Sequence, residues 1–126
     1  MKKFQKLSDS EMEIMRVIWE LATPITSTQL LSIFESKDWK SQTISTFLTR
    51  MVDKGLLSQT KHGRANSYVP IYTEQGYRKM EAKNLIDNTY NGSVQDFLAT
   101  LYSGKEINSE EVEALKRWFD EVTKDG

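Results

Sequence analysis

The sequence of 126 residues predicts a mainly α-helical fold with one small β-hairpin, in two parts that meet near residue 73. Three observations carry this. Three runs of apolar residues at helical spacing fall before residue 55, and two of them open with the same capping signature. Two short strand-like runs then flank a turn at 62–66 that holds Gly and Asn. From residue 74 onward the pattern is helical again and the charge balance reverses.

The first helix has a clear start. Ser8-Asp-Ser-Glu11 fits a capping box, in which the Ser8 hydroxyl accepts from the Glu11 amide and the Glu11 carboxylate reaches back. Leu7 and Met12 stand at the positions of a hydrophobic staple. Met12, Met15, Ile18, Trp19 and Ala22 follow at helical spacing, which predicts a helix over 9–22 that stops before Pro24. Thr26-Ser-Thr-Gln29 repeats the box, with Ile25 and Leu30 as staple, and opens a short helix over 27–36. A polar connector, Lys37-Asp-Trp-Lys40, leads to Ser41, the expected cap of a third helix over 41–54 that Gly55 stops.

The third helix carries the chemistry. Ile44, Phe47, Leu48, Met51 and Val52 form its apolar stripe. Its other face holds Gln42, Thr43, Ser45, Thr46, Thr49 and Arg50, with no acid until Asp53. Solvated helix faces usually carry Glu and Lys, which are good helix formers, whereas Ser and Thr are mediocre ones. Short donors and acceptors plus one long cation suit a helix entering a DNA major groove. An ordinary surface helix is the plain alternative. Three helices with a short second-to-third connection read as helix-turn-helix.

The next residues choose among kinds of helix-turn-helix. Leu56–Lys61 and Ser67–Tyr72 predict two strands, with Pro70 at an edge or a strand end. A hairpin directly after the recognition helix is a wing. Lys61, His62 and Arg64 sit at its tip, where a phosphate backbone would lie, and Lys40 flanks the third helix. A solvated hairpin with chance basic residues is the alternative reading, and its position after the third helix argues against it.

The part at 74–126 predicts a long helix over 74–90 ended by Asn91-Gly92, a short one that starts at Ser93 and breaks at Gly104, and a last one capped by Asn108 or Ser109. Large apolar residues abound here: Tyr77, Leu85, Tyr90, Phe97, Leu98, Leu101, Val112, Leu115, Trp118, Phe119 and Val122. A segment this short cannot bury them alone. A second copy of the chain is the expected partner, with folding back onto the winged part as the alternative.

Charge and composition agree with two jobs. Residues 1–80 hold 12 Lys and Arg against 8 Asp and Glu, a net of +4, and residues 81–126 hold 5 against 10, a net of −5. The front can face a polyanion, while the back should avoid one. Cysteine is absent, which excludes disulfides and thiolate metal sites and agrees with a cytoplasmic protein. The basic start, Met1 to Lys6, lacks the long apolar core of a secretory signal, and no apolar run approaches a membrane span. With one His, no Cys, no Gly-rich phosphate loop and no nucleophile motif, neither an enzyme nor a cofactor is expected. Glu110 to Glu113 suits a helix start better than a metal site.

The segments Leu7–Trp19, Asp38–Arg50, Lys54-Gly-Leu56 and Tyr90-Asn-Gly92 resemble the penicillinase and methicillin-resistance repressors, with copper-responsive repressors as cousins. The resemblance runs along nearly the whole chain and is most specific in the winged part. It implies a bacterial homodimeric repressor of β-lactam resistance genes that places its third helix in the major groove of an inverted-repeat operator. By position, Gln42, Thr43, Ser45 and Thr46 would face the groove and Arg50 a phosphate. The family often has Lys at Gln42 and Arg or Lys at Ser45, so this helix is less cationic than the family pattern. The resemblance also implies relief of repression by proteolysis in the dimerisation region, through a protease linked to a membrane sensor. The family's Asn-Phe bond is replaced here by Thr100-Leu101. The Cys-x-Cys tail of the copper-responsive cousins has no counterpart, which excludes thiolate copper sensing. Two rival readings remain at this point. One is a winged-helix protein-interaction module, although a Ser- and Thr-rich face without aromatic anchors is a poor protein hot spot. The other is a small-molecule-responsive repressor with a pocket among the C-terminal aromatics.

Overall fold

A computed structural model describes residues 4–124; Met1–Lys3 of the basic start, and Asp125 and Gly126, lie outside them. Helix α1 (Asp9–Leu21) opens on the expected box: the Ser8 amide donates to Glu11 Oε1 at 2.8 Å and the Glu11 amide to Ser8 Oγ at 3.2 Å. It ends at Ala22 in the left-handed region, with φ 56°, just before Pro24. A two-residue strand β1 (Ile25–Thr26) follows, then α2 (Ser27–Ile33), whose Thr26–Gln29 box is complete. Helix α3 (Ser41–Asp53) ends in a Schellman motif: Gly55, at φ 80°, donates to the Val52 carbonyl and Leu56 to that of Met51, both at 3.0 Å.

Strands β2 (Leu57–His62) and β3 (Ala65–Pro70) pair antiparallel about the two-residue turn Gly63-Arg64. Gly63 has φ 62°, the positive-φ position that a tight hairpin turn requires. The sheet order is β1-β3-β2, with Ile25 opposite Tyr68. Strand β1 was not expected, because two residues are too short for an alternating pattern to show. β3 is thus the central strand, and Pro70 is tolerated as its last residue rather than at an edge.

The chain divides into two compact units, 1–82 and 83–126, a later division than the 73/74 boundary expected from the pattern. The first unit has a continuous core in which Ile14, Met15 and Ile18 of α1, Leu30 of α2, Ile44, Leu48 and Met51 of α3, and Leu57 and Tyr68 of the sheet are buried. Helix α4 (Glu74–Thr89) starts in this unit, and its Tyr77 is fully buried in the same core. The Tyr77 hydroxyl accepts from the Leu7 amide at 2.9 Å, and its ring lies 5.8 Å from those of both Phe4 and Trp19. Burial pushes the Tyr77 phenol up to about 12, against the Leu7 hydrogen bond and with help from Glu81. Trp19 is a core residue as well, and its indole donates to the Tyr72 carbonyl at 2.9 Å.

The second unit contains the end of α4, α5 (Val94–Ser103) and α6 (Ser109–Thr123). Asn91 and Gly92, both at positive φ, make the turn after α4. Ser93 caps α5, and Asn108 with Glu111 forms a third capping box on α6. Tyr90 and Phe97 meet edge to face at 5.3 Å. Among the described residues, no helix is long and apolar enough to cross a membrane.

Candidate nucleic-acid interface

Helix α3 separates its two faces cleanly. Ile44, Leu48 and Met51 are buried, and Phe47 is half-buried with its ring 5.3 Å from that of Trp39. Opposite them, Gln42, Ser45, Thr46, Thr49 and Arg50 line one shallow open depression. They stand at i, i+3, i+4, i+7 and i+8, so at about 1.5 Å per residue the row runs ~12 Å, roughly the rise of three to four base pairs. Lys40 and Ser41 are exposed at its N-terminal end; Thr43, half-buried as Ser45 and Thr46 are, stands outside the row.

Two details refine the expectation for α3. Ser41 is not its cap. The first helical bond runs from the Ile44 amide to the Lys40 carbonyl at 3.1 Å, so Lys40 is the N-cap, it supplies no side-chain bond, and Ser41 already lies within the helix. The first amides of α3 therefore keep their donors available beside a lysine, an arrangement that suits a phosphate. Thr46 donates its hydroxyl to the Gln42 carbonyl at 3.0 Å. Its proton is thereby used within the helix, and Thr46 offers an acceptor oxygen and a methyl group, which fits contact with a thymine methyl.

The hairpin brings Lys61, His62 and Arg64 to one exposed tip but divides them. Lys61 pairs with Asn66 and His62 with Ala65, and successive strand residues project to opposite faces. Arg64 occupies the turn itself.

One positioned pair escapes a reading based on periodicity. Glu11 is only 1% exposed, and its Oε1 lies 2.6 Å from the Nζ of Lys54, the residue that ends α3. The same ammonium donates to the Lys6 carbonyl at 2.9 Å. Burial pushes the Glu11 carboxyl up, but the Lys54 hydrogen bond and charge, with the Ser8 bonds, outweigh it and hold the group below its ordinary range. The available signal was that Glu11 stands at helical spacing with Ile14, Met15 and Ile18, a carboxylate on an apolar stripe.

Of the residues expected to dimerise, Leu85, Leu98, Leu115, Trp118, Phe119 and Val122 are exposed, and Tyr90, Phe97, Leu101 and Val112 are half-buried. Tyr77 must be removed from that group: it is sealed in the core of the first unit and cannot meet a second chain. The Thr100-Leu101 bond lies inside α5, where the Thr100 hydroxyl donates to the Asp96 carbonyl at 2.8 Å.

Comparison with known proteins agrees with this geometry. The profile of the penicillinase repressor family matches residues 7–121. The chain is 29% identical over 121 residues to the penicillinase repressor of Bacillus licheniformis, covering 96% of this chain and 94% of that one. It is 25% identical over 114 residues to the methicillin resistance regulatory protein MecI of Staphylococcus aureus, covering 90% and 93%. The solution structure of the DNA-binding domain of the repressor BlaI superposes with a TM-score of 0.54 at 36% identity, over 61% of this chain and 94% of that domain. The chain therefore belongs to the penicillinase repressor family, as a DNA-binding transcriptional repressor built on a winged helix and not an enzyme.

Proposed function

We propose that the protein is a cytoplasmic homodimer that occupies an inverted-repeat operator in front of β-lactam resistance genes. Each protomer lays α3 in the major groove, with Gln42, Ser45, Thr46 and Thr49 toward base edges and Arg50 and Lys40 toward phosphates. The wing tip, with Lys61, His62 and Arg64, follows the adjacent backbone. Helices α5 and α6 join the two protomers, and the two-fold symmetry of the dimer matches that of the operator. Repression follows from occupancy that blocks polymerase. Relief follows from separation of the protomers, by a cut at Thr100-Leu101 from a sensor-linked protease or by another dimer-disrupting event, because one half-site alone offers far fewer contacts.

The observation that carries this reading is the five-residue row on α3, polar, acid-free and aligned on one face. The name MecI and the penicillinase repressors among the relatives support the choice of genes. The test is gel mobility of the DNA upstream of the protein's own gene across a salt series. A specific shift on a palindromic site that weakens steeply with salt is expected. No shift at low salt from a folded dimer would overturn it and would give the α3 face to another partner.

A further inference from the structure

We infer that the Lys54–Glu11 pair, a buried carboxylate held by a half-buried ammonium, is the device that sets the angle of α3 for reading base edges, which makes Lys54 and Glu11 positioning residues for operator specificity. The inference rests on the proposed DNA-reading role of α3. Lys54 follows the last residue of α3, and its ammonium bonds Glu11 Oε1 at 2.6 Å and the Lys6 carbonyl at 2.9 Å. Glu11 Oε1 also accepts the Ser8 amide at 2.8 Å, so the end of α3 is tied by directional bonds to the start of α1. Ile14 and Met15 of α1 and Leu48 and Met51 of α3 lie in the same buried core, and these side chains are apolar. Apolar contact is non-directional and tolerates small tilts and slides. Bidentate bonds to bases do not, since hydrogen bonds weaken steeply with misalignment. Counterion release, which governs non-specific affinity, depends on the number of cations near the backbone and barely on helix angle. A buried pair is weak as a source of stability but can serve to fix register. Lys54 also sits only one residue past α3, yet its ammonium is turned inward to Glu11, so the pair has no phosphate role.

The test uses the full-length dimer and a duplex that the parent protein has enriched from a random-sequence pool, against a scrambled duplex of equal length. Lys54→Met alone strands a buried carboxylate and risks the fold. The double variant Glu11→Gln with Lys54→Met removes both charges and keeps the capping box, because Gln serves at that position as well as Glu. It is expected to stay folded by circular dichroism and to lose on the order of tenfold in the ratio of specific to scrambled affinity, comparable to one mismatched base pair. Its salt slope should equal that of the parent. Lys54→Arg, which keeps the charge on Glu11, should retain most of the ratio. A folded double variant with the parental ratio would overturn the inference, as would a reduced salt slope, which would make Lys54 a phosphate contact. Should the double variant unfold, loss of the ratio in folded Lys54→Arg would overturn it equally. If the parent enriches no duplex at all, the DNA-reading role fails instead.

Discussion

The two units of the chain solve the burial problem differently. Residues 1–82 enclose a core in which Ile14, Ile18, Leu30, Ile44, Leu48, Met51 and Tyr77 are almost fully withdrawn from solvent. Along 83–124, none of the described residues is buried, and Trp118 and Phe119 are 59% and 60% exposed in the protomer. Helix quality does not explain the contrast, since α6 has a complete capping box just as α1 does. The first unit surrounds its apolar stripes with three helices, the start of α4 and a sheet, whereas the second has too few elements to cover its own. The lesson is that local helix signals and core completion are separate properties. A segment can have the first without the second.

The largest effect should come from the self-contained core. Leu48→Ala removes a fully buried side chain on α3 and should cost about 2–5 kcal/mol. Urea unfolding followed by fluorescence would show it, and an effect under about 1 kcal/mol would mean that the first unit is far looser than its burial implies. The second unit should behave in the opposite way. Trp118→Ala and Phe119→Ala should leave the unfolding of the first unit in place but weaken self-association, each by about 2 kcal/mol or ~30-fold if these aromatics are interface anchors. Sedimentation equilibrium would read this directly. Unchanged association in both variants would turn the exposed α6 stripe into something other than a dimer face.

The same contrast decides how much was legible in advance. Most caps and stops were readable because they use local chemistry: Ser8 with Glu11, Thr26 with Gln29, and Gly55 at positive φ. Two were not: Ser41 was expected to cap α3, where Lys40 does, and the cap of α6 was left between Asn108 and Ser109, where Asn108 takes it. The α3 face was readable because its period matches the helix, and five of its residues do share one depression. Long-range facts were not readable. Strand β1 exists only because Ile25 and Thr26 find Tyr68 and Ser67 more than 40 residues away in sequence. Tyr77 looked like part of the C-terminal segment because it shares one helical pattern with Leu85 and Tyr90, yet its hydroxyl meets Leu7, 70 positions earlier. The Glu11–Lys54 pair has the same origin: local spacing marks Glu11 as a carboxylate on the apolar stripe of α1, but nothing local points to Lys54, 43 positions away.

Titration sharpens the contrast at smaller scale, because the two clearly shifted groups among the described residues, Glu11 and Tyr77, lie in the first unit. The folded-state pKa of Glu11 lies below its ordinary 4.5, so the stability it contributes is present above that value and is lost as pH falls through the lower folded one. Melting temperature measured from about pH 6 to about pH 3 should decline, and Glu11→Gln should flatten part of the decline. Tyr77 is shifted the other way. Its contribution is present below 10 and is lost as pH rises through about 12, since the unfolded phenol ionises first. Tyr77→Phe should remove that alkaline loss while costing about 1 kcal/mol near neutrality for the Leu7 hydrogen bond. An unchanged alkaline profile in Tyr77→Phe would place the titrating group elsewhere.

The smallest change tests whether the surfaces of the two units have separate jobs. Arg50 is exposed at the far end of the α3 row and should neutralise one phosphate in each half-site. Arg50→Ala should therefore lower the slope of log affinity against log salt by about 1 per half-site, with similar loss on specific and random duplexes. Thr46→Ala, one turn away on the same face, should do the reverse: its slope is unchanged and its preference among sequences shifts, because Thr46 has no charge and presents a methyl group. Equal loss on random DNA would take Thr46 off the base-reading face, and an unchanged slope in Arg50→Ala would take Arg50 off the backbone. Neither substitution should alter self-association, because both side chains stand on the outer face of a unit whose core is already closed. A shift in dimer affinity from either one would mean that the row on α3 and the apolar stripe of α6 are coupled, and the division of labour between the units would have to be redrawn.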